Sequence, residues 1–484
     1  MVPFIGFLPD IDPTTPGALK DVSNIIPTTK GFRPQYSARD AGLSAVSDSV
    51  NSLVVVADLS DDKTTYAGTD NTLEEAGSSS WTDRTRAVGG AYSCGVEDRW
   101  SFAQYGNITL AANRADAMQY ATTGSSAFAD LSGAPQAKHI ATNQGFVMAA
   151  NLSTDYDGWH CCAYNDYTDW TEAVSTQSTS GRLVGGGDIT GVLPFADGFL
   201  IFKKNTTYVA NYVGAPAVWD FDEIPGDIGC ASGHAAVAVH DVVAFQGNDD
   251  FYIFDGARPV SIGEGVREWF FENADNSYHH RTIATYSPVT GNITWYFVSN
   301  TASDNHPDSA LVYNIRSKKW GKFSQSIHAA ATYYPAGIII DGATTDLSDL
   351  YATIDDITDV SFDSPLWNAG TANAGIIGTD NILYLLTGAP GSSSITQNTF
   401  GDDEQFSTIK RVRPRFLTEP SASSIEYSYD NTYGDSFTVK GTYNLINGKY
   451  DLLYSARWHQ VQYNFTGDME IIGAKIDYVV DGVQ

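Results

Sequence analysis

Residues 198–221, GFLIFKKNTTYVANYVGAPAVWDF, and residues 242–262, VVAFQGNDDFYIFDGARPVSI, decide the fold. Each opens on an apolar run just after a turn, breaks at polar residues, and resumes as a second run that carries an aromatic. Such runs, four to eight residues long and bounded by Gly, Asn and Asp, read as short strands joined by hairpins. Tyr208 and Tyr252 stand at the same place in the two stretches, 44 residues apart. The same interval reaches back to Tyr164 and Tyr120, and forward to Tyr296. In context, Tyr313 of LVYNIRSKKWGKF marks the next unit; Tyr296 belongs to the strand before it, and a loop over 302–309 lengthens that unit.

A period near 44 with about four short strands per unit is that of a β-propeller blade. One small sheet cannot cover both of its faces, whereas blades packed round an axis bury them all. A plain sandwich would not repeat at fixed intervals. Further runs at 52–57, 292–299, 310–314 and 337–340, with turns at Asp157-Gly158, Asp197-Gly198, Asp255-Gly256, Gly291-Asn292 and Asp341-Gly342, extend the pattern. The chain therefore reads as all-β, a propeller of six to eight blades over residues 46–400. Residues 1–45, rich in Pro and Thr, read as an extended arm. Residues 401–484, with alternating strands around Asn447-Gly448, read as a small β-sandwich. Helical periodicity is confined to 265–273 (GVREWFFEN), two turns at most.

Composition agrees. The 484 residues are 42% hydrophobic and 12% aromatic, with 44 Gly, so a full core can be buried. The 57 acidic residues outweigh 28 basic ones, a formal net charge of −29. Affinity for nucleic acid comes mainly from Lys and Arg displacing counterions, so tight DNA or RNA binding is not expected. An acidic wall would still let a polyanion slide past, although simple solubility explains the charge equally well. No apolar run approaches the ~20 residues of a membrane-spanning helix. Cys161 and Cys162 are adjacent, point to opposite faces of a strand, and with Cys94 and Cys230 form no CxxC pair, so reduced thiols are expected and zinc is not.

Motifs for chemistry are lacking, and no cofactor, metal or catalytic residue is expected. GxSxG and HExxH do not occur, and Gly441…Gly448-Lys449 has the wrong spacing for a phosphate loop. Gly185-Gly186-Gly187-Asp188 reads as a bend between blades. Asp155-Tyr156-Asp157-Gly158-Trp159 loosely resembles a calcium loop or an Asp-box, but a hairpin turn explains it more simply. A glycosidase would need two carboxylates across a cleft, which sequence neither supports nor removes. His279-His280 would diverge from a strand and share no metal. One cluster stands out: Lys410, Arg411, Arg413 and Arg415 in TIKRVRPRF. In a strand the three arginines line one face, and Pro414 suggests an edge. Local pairing with acids is the simple reading, docking onto an acidic neighbouring subunit is the functional one, and DNA contact is a third.

The ends of the chain carry a resemblance. Phe4-Ile5-Gly6, Asp12-Pro13-Thr14-Thr15-Pro16-Gly17, Asn24-Ile25-Ile26-Pro27 and Gly31-Phe32-Arg33-Pro34 look like the start of the tail nozzle (packaged-DNA stabilisation) proteins of short-tailed bacteriophages. Thr168-Asp169-Trp170-Thr171, Val312-Tyr313-Asn314 with Trp320, and Thr353-Ile354-Asp355-Asp356 with Asp363-Ser364 are similar too. So are Ala456-Arg457-Trp458-His459 and Phe465-Thr466-Gly467-Asp468. The resemblance implies a structural virion protein: a ring of subunits, six by analogy, that extends the DNA channel below a tail adaptor. The ring would retain packaged DNA, take part in its ejection, and carry tail fibres or spikes, in a virion tail folded and assembled in the host cytoplasm. It implies no catalytic residue. The alternative is a carbohydrate-binding or glycan-cleaving propeller.

Overall fold

The computed structural model describes residues 1–334, 372–432 and 436–482. The expected strand at 337–340, the Asp341-Gly342 turn and the motif residues Thr353-Ile354-Asp355-Asp356 and Asp363-Ser364 lie outside them. The chain is nearly all β, and six separate four-stranded sheets are joined by a seventh four-stranded set that opens a ten-stranded sheet. These seven sets are the blades of a propeller.

Blade one runs over Val50–Ala57, Lys63–Thr69, Leu73–Ala76 and Trp81–Asp83. Blade two is Ser101–Tyr105, Ile108–Ala112, Gln119–Thr122 and Ala129–Asp130; blade three is Ala137–Asn143, Phe146–Leu152, Asp155–Cys161 and Thr179–Arg182. Blade four is Ile189–Phe195, Gly198–Lys203, Thr207–Gly214 and Val218–Glu223, and blade five Ala236–Val239, Val242–Gln246, Phe251–Phe254 and Val260–Ser261. Blade six, Ile283–Ser287, Asn292–Phe297, Ser309–Asn314 and Lys319–Ser324, opens the ten-stranded sheet. In these six blades the strands are antiparallel and sequential, so most pairings close a short loop. The second strands of blades three and four are buried along almost their whole length. A strand covered by blades on both faces has no solvent side, which is why GFLIFK is a continuous apolar run rather than an alternating one.

Blade seven closes the ring. Its first three strands are Ala329–Tyr333, Asn373–Ile377 and Leu383–Gly388, and its outermost strand, Ser37–Asp40, comes from before blade one. Joining chain ends in one blade locks the circle and removes an open edge.

The arm expected at 1–45 is therefore not free. Gly6–Phe7 pairs in parallel with Ala18–Ser23, which pairs with Ser392–Gln397. Ile25–Pro27 extends blade six and pairs with Phe32–Pro34, and Val2–Pro3 pairs with Glu470–Gly482. The boundary at 400 shifts as well, because Ser392–Gln397 pairs with Trp458–Thr466 in the C-terminal region. The expected 401–484 domain is thus a sandwich woven from both ends of the chain. Its seven-stranded sheet faces the far half of the ten-stranded sheet over one core. That core runs without a break from Phe4, Tyr463 and Ile471 to Phe251, Trp295 and Trp320 of blades five and six. The reason for the weave is surface: two short terminal segments with buried faces, such as Ala18, Leu19 and Val22, need a partner sheet to cover them.

Four of the five repeat-register tyrosines share one place in their blades. Tyr120, Tyr208, Tyr252 and Tyr313 all lie on the third strand of their blades. Tyr164 does not. Blade three starts its third strand early, at Asp155, and an inserted loop follows Cys161, so Tyr164 sits in that loop, 48% exposed, against Phe146. Tyr296 lies on the second strand of blade six, as its context implied. Asp157-Gly158, expected as a turn, lies inside the third strand of blade three instead. The two-turn helix forms over Arg267–Asn273.

Candidate functional site

Lys410, Arg411, Arg413 and Arg415 lie on the long strand Phe406–Thr418 of the ten-stranded sheet. Ile409 and Val412 are both fully buried although three residues apart, because the pairing shifts register between Ile409 and Arg411. This bulge turns Arg411, Arg413 and Arg415 to the outer face together. Tyr450–Ala456 pairs only as far as Val412, so Arg413, Pro414 and Arg415 have a partner strand on one side alone. The edge suggested by Pro414 is there.

Opposite the stripe stand two aspartates. Arg411 Nε lies 3.3 Å from Asp451, which also takes Lys449 at 2.7 Å; Arg413 Nε lies 3.6 Å from Asp477, which takes Lys475 at 3.2 Å. The Lys449 ammonium, with Arg411 behind it, holds the Asp451 carboxyl below its usual range. Exposed pairs of this kind contribute little to stability. They set a lattice of charge rather than stability.

A second arrangement was not legible in the sequence. A cavity of about 240 Å³ runs along the axis, lined by the first strand of every blade: Ser52, Ser101, Ile140, Val192, Ala236, Ala284 and Ala330. It has room for several waters and no more, so the propeller axis is no passage for a duplex. At the end where these strands begin, it meets a cavity of about 340 Å³ lined by Glu97, Arg99, Arg114, Lys138, His139, Ser232, His234 and His280. Arg99 borders both.

Electrostatics there are unusual for so acidic a chain. The Arg281 guanidinium grips Glu97 through two bonds, Nε–Oε2 at 3.0 Å and Nη2–Oε1 at 2.7 Å, and His280 Nε2 lies 2.6 Å from the same carboxylate. These partners, Arg281 first, pull the Glu97 carboxyl down to about 2. Lys138 pairs with Asp98 at 2.6 Å. Burial, reinforced by Arg99, brings His234 down to about 3, and burial beside His328 brings His306 to about 4. Burial, with Lys138 next, also holds the His139 imidazole well below its usual value. These imidazoles are neutral at pH 7.

The remaining sequence candidates resolve individually. Gly185, Gly186 and Gly187 all take left-handed φ values (91°, 70° and 81°) in the bend between blades three and four, as expected. Their bend is tied down by Lys203, whose fully buried ammonium donates to the carbonyls of Leu183 and Gly185 and lies 3.2 Å from Asp157. Asp155 is taken by Arg182 at 2.5 Å. Both aspartates of the calcium-like segment thus face cations. His279 and His280 lie on a short 3-10 helix, Asn276–Arg281, and not on a strand as expected, yet they diverge: His279 stacks on Phe270 (5.8 Å) while His280 turns to Glu97. Among the described residues no group of three or more His, Cys, Asp or Glu is placed to hold a metal. All four cysteines are free and buried, and Cys161 and Cys162 enter different cores. Burial pushes the Cys94, Cys162 and Cys230 thiols up to about 12, which leaves them unreactive. On the opposite end of the propeller a groove of about 660 Å³ between blades four and five collects Asp222, Glu223, Asp241 and Asp255 with Phe195, Phe254 and His240.

No family model matches the chain, and no curated protein matches it. Among solved structures it is similar to the extracellular domain of a one-component system from B. thetaiotaomicron (9% identity, TM-score 0.41), covering 85% of this chain and 46% of that one. It is also similar to YCF48 bound to a peptide (10%, TM-score 0.39, 80% and 99%) and to BamB from Moraxella catarrhalis (10%, TM-score 0.35, 73% and 97%). The chain spans about half the length of the B. thetaiotaomicron domain that it matches. At these identities and scores the likeness carries no functional argument, and the propeller stands on its own strand topology.

Proposed function

We propose that this chain is a structural subunit of the tail nozzle of a short-tailed bacteriophage, one of a ring, six by analogy, that prolongs the DNA channel. The observation that carries the reading is where the motif residues of the resemblance sit. Those at the two ends of the chain are joints of the molecule, whereas Thr168-Asp169-Trp170-Thr171 lies in the inserted loop of blade three. Phe4 is buried in the sandwich core, the carbonyls of Asp12 and Pro13 accept bonds from Asn398 and Thr399 (3.2 and 3.0 Å), and Arg33 pairs with Asp468 at 3.2 Å. Trp320 packs against Tyr313 at 4.9 Å in the seam between blade six and the sandwich. Motifs that serve architecture rather than a pocket suit a subunit whose task is assembly.

Charge supports the same reading. With −29 overall, the outer face of one copy is a fitting partner for the stripe of Arg413 and Arg415 on the next. The duplex would pass through the hole between subunits, past acidic walls that do not grip it, since each propeller axis is plugged. The adaptor above and fibres or spikes outside would be the other partners, in the tail of the virion. Images of purified particles test this: closed rings of propellers support it, and isolated propellers under all conditions refute it. The alternative, a glycan-binding or glycan-cleaving propeller, rests on the acidic groove with Phe195 and Phe254. Turnover of a host surface glycan would favour it.

A further inference from the structure

The axial mouth holds more cation than its own acids use. Glu97 is matched by Arg281 and His280, and Asp98 by Lys138. Arg99 and Arg114, on the same wall, have no carboxylate within 4 Å among the described residues. Asp188 lines the rim, but its side chain is exposed and pairs with neither.

Both guanidiniums are nonetheless held in place. Arg99 Nη1 donates to the carbonyls of Asn51 (2.8 Å) and His328 (3.4 Å), and Nη2 to that of Arg281 (3.2 Å). Those carbonyls come from the first strand of blade one and from the approaches to blades seven and six. Three neutral acceptors fix the plane and leave part of a five-donor fork free. Arg114 Nη1 donates to Asn151 Oδ1 (3.1 Å), and its guanidinium lies 4.8 Å from the Tyr156 ring. Asn151, 5% exposed, is fixed in turn through Nδ2 to the carbonyl of Ile189 at 2.7 Å. Arg114 and Asn151 both sit at left-handed φ, 66° and 57°, and Arg114 is the only arginine to do so among the described residues. An L-residue with a long side chain adopts that region at a cost, which the surrounding contacts must offset. Desolvation, and Arg281 nearby, bring the Arg99 guanidinium down to about 10. A positioned cation without an acid is the reverse of what a −29 chain needs for solubility.

We infer that the axial mouth is a binding site for a phosphate group, free or as the terminal phosphate of a small ester, gripped by Arg99 and Arg114. Guanidinium forks match tetrahedral oxyanions in two-point geometry. Ser232 and the neutral imidazoles of His139 and His234 add donors on the same wall. A volume of about 340 Å³ exceeds a bare phosphate and admits a small ester. The inference is independent of the nozzle reading.

Calorimetric titration of the intact chain at constant ionic strength tests it, with chloride as background, inorganic phosphate as one probe and ribose 5-phosphate as the other. One saturable site is expected for at least one probe and none for chloride; tighter binding of the ester assigns a phosphorylated small molecule, and equal binding assigns free phosphate. Arg114→Gln should weaken binding at least about tenfold, the loss of one charge-assisted bond, with the circular dichroism of the folded chain in chloride retained. Arg99→Lys should weaken it similarly through loss of the fork. If Arg99→Lys fails to fold, Arg114→Gln alone decides. Absence of saturable heat with both probes, or Arg114→Gln affinity equal to wild type, overturns the inference.

Discussion

Blades two to five and the C-terminal sandwich are built from the same strands but by opposite routes. Within a blade, each strand pairs with the one before it, as Phe199 does with Ala210 and Phe245 with Tyr252. In the sandwich, Val2 pairs with Ala474, Leu19 with Gln397 and Phe32 with Ile471. Short loops cost little entropy to close and longer ones cost more, so the blades can form locally while the sandwich must wait for both ends. The difference explains why the termini carry motifs and the blades carry a rhythm. It also explains how the ring is kept shut, since Ser37–Asp40 in blade seven lies between sandwich strands and blade one in the chain.

Removing residues 1–40 should strike blade seven and the sandwich together. Blade seven loses its outer strand and the sandwich loses Ala18–Ser23 from its seven-stranded sheet, so cooperative thermal unfolding should disappear, read by near-ultraviolet circular dichroism. Removal with the transition intact would show the blades alone suffice. Next in size is Trp295→Ala. This fully buried indole donates to the Ala235 carbonyl at 3.1 Å and packs on Phe251 and Trp320, bridging blades five and six. A cost of about 3–5 kcal/mol is expected in urea unfolding.

Lys203→Met confines the damage to one bend. It leaves two carbonyls of the bend without a donor, for roughly 1–3 kcal/mol, and hydrogen exchange should rise around 183–187 but not in the sandwich. A smaller loss is expected on acidification. His459, between Ser407 Oγ (2.8 Å) and Tyr427 OH (2.7 Å) in the sandwich core, is lowered by burial to about 4. The unfolded chain therefore binds the proton first, and stability is full above about pH 6.5 and falls as pH drops towards 4. His459→Gln should flatten that slope by roughly 1 kcal/mol at about pH 5.5, measured as the shift in urea midpoint between neutral and acid buffer. Smallest is Arg411→Ala, which should leave the urea midpoint unchanged within error, because the Arg411–Asp451 pair is open to water.

The blades were legible because their signal is local. Turn dipeptides and buried second strands such as GFLIFK fix the period without reference to distant residues. The exceptions are instructive. Tyr164 kept the interval of 44 but lost the strand, since an insertion before Thr179–Arg182 and an early third strand offset each other in the count. Ser37–Asp40 (SARD) carries no apolar residue larger than Ala, because its outer face meets water. Nothing in it signals a strand until its partner, Leu383–Gly388, is known. The arginine stripe was legible by its alternation, and its aspartates were not, since they come from strands met only in the fold. Arg99 was the least legible. It lies in an irregular stretch, and what makes it notable is the absence of an acid partner, which only three dimensions reveal.

Sedimentation of the purified chain beside a variant with Arg411, Arg413 and Arg415 all changed to Glu is the most direct test of assembly through the sandwich edge. The wild type should sediment as a species several times the 52.3 kDa chain mass. The variant should remain at single-chain mass with its circular dichroism unchanged. A wild type that stays at single-chain mass at every concentration, or a variant that assembles as well as the wild type, would contradict assembly through that edge.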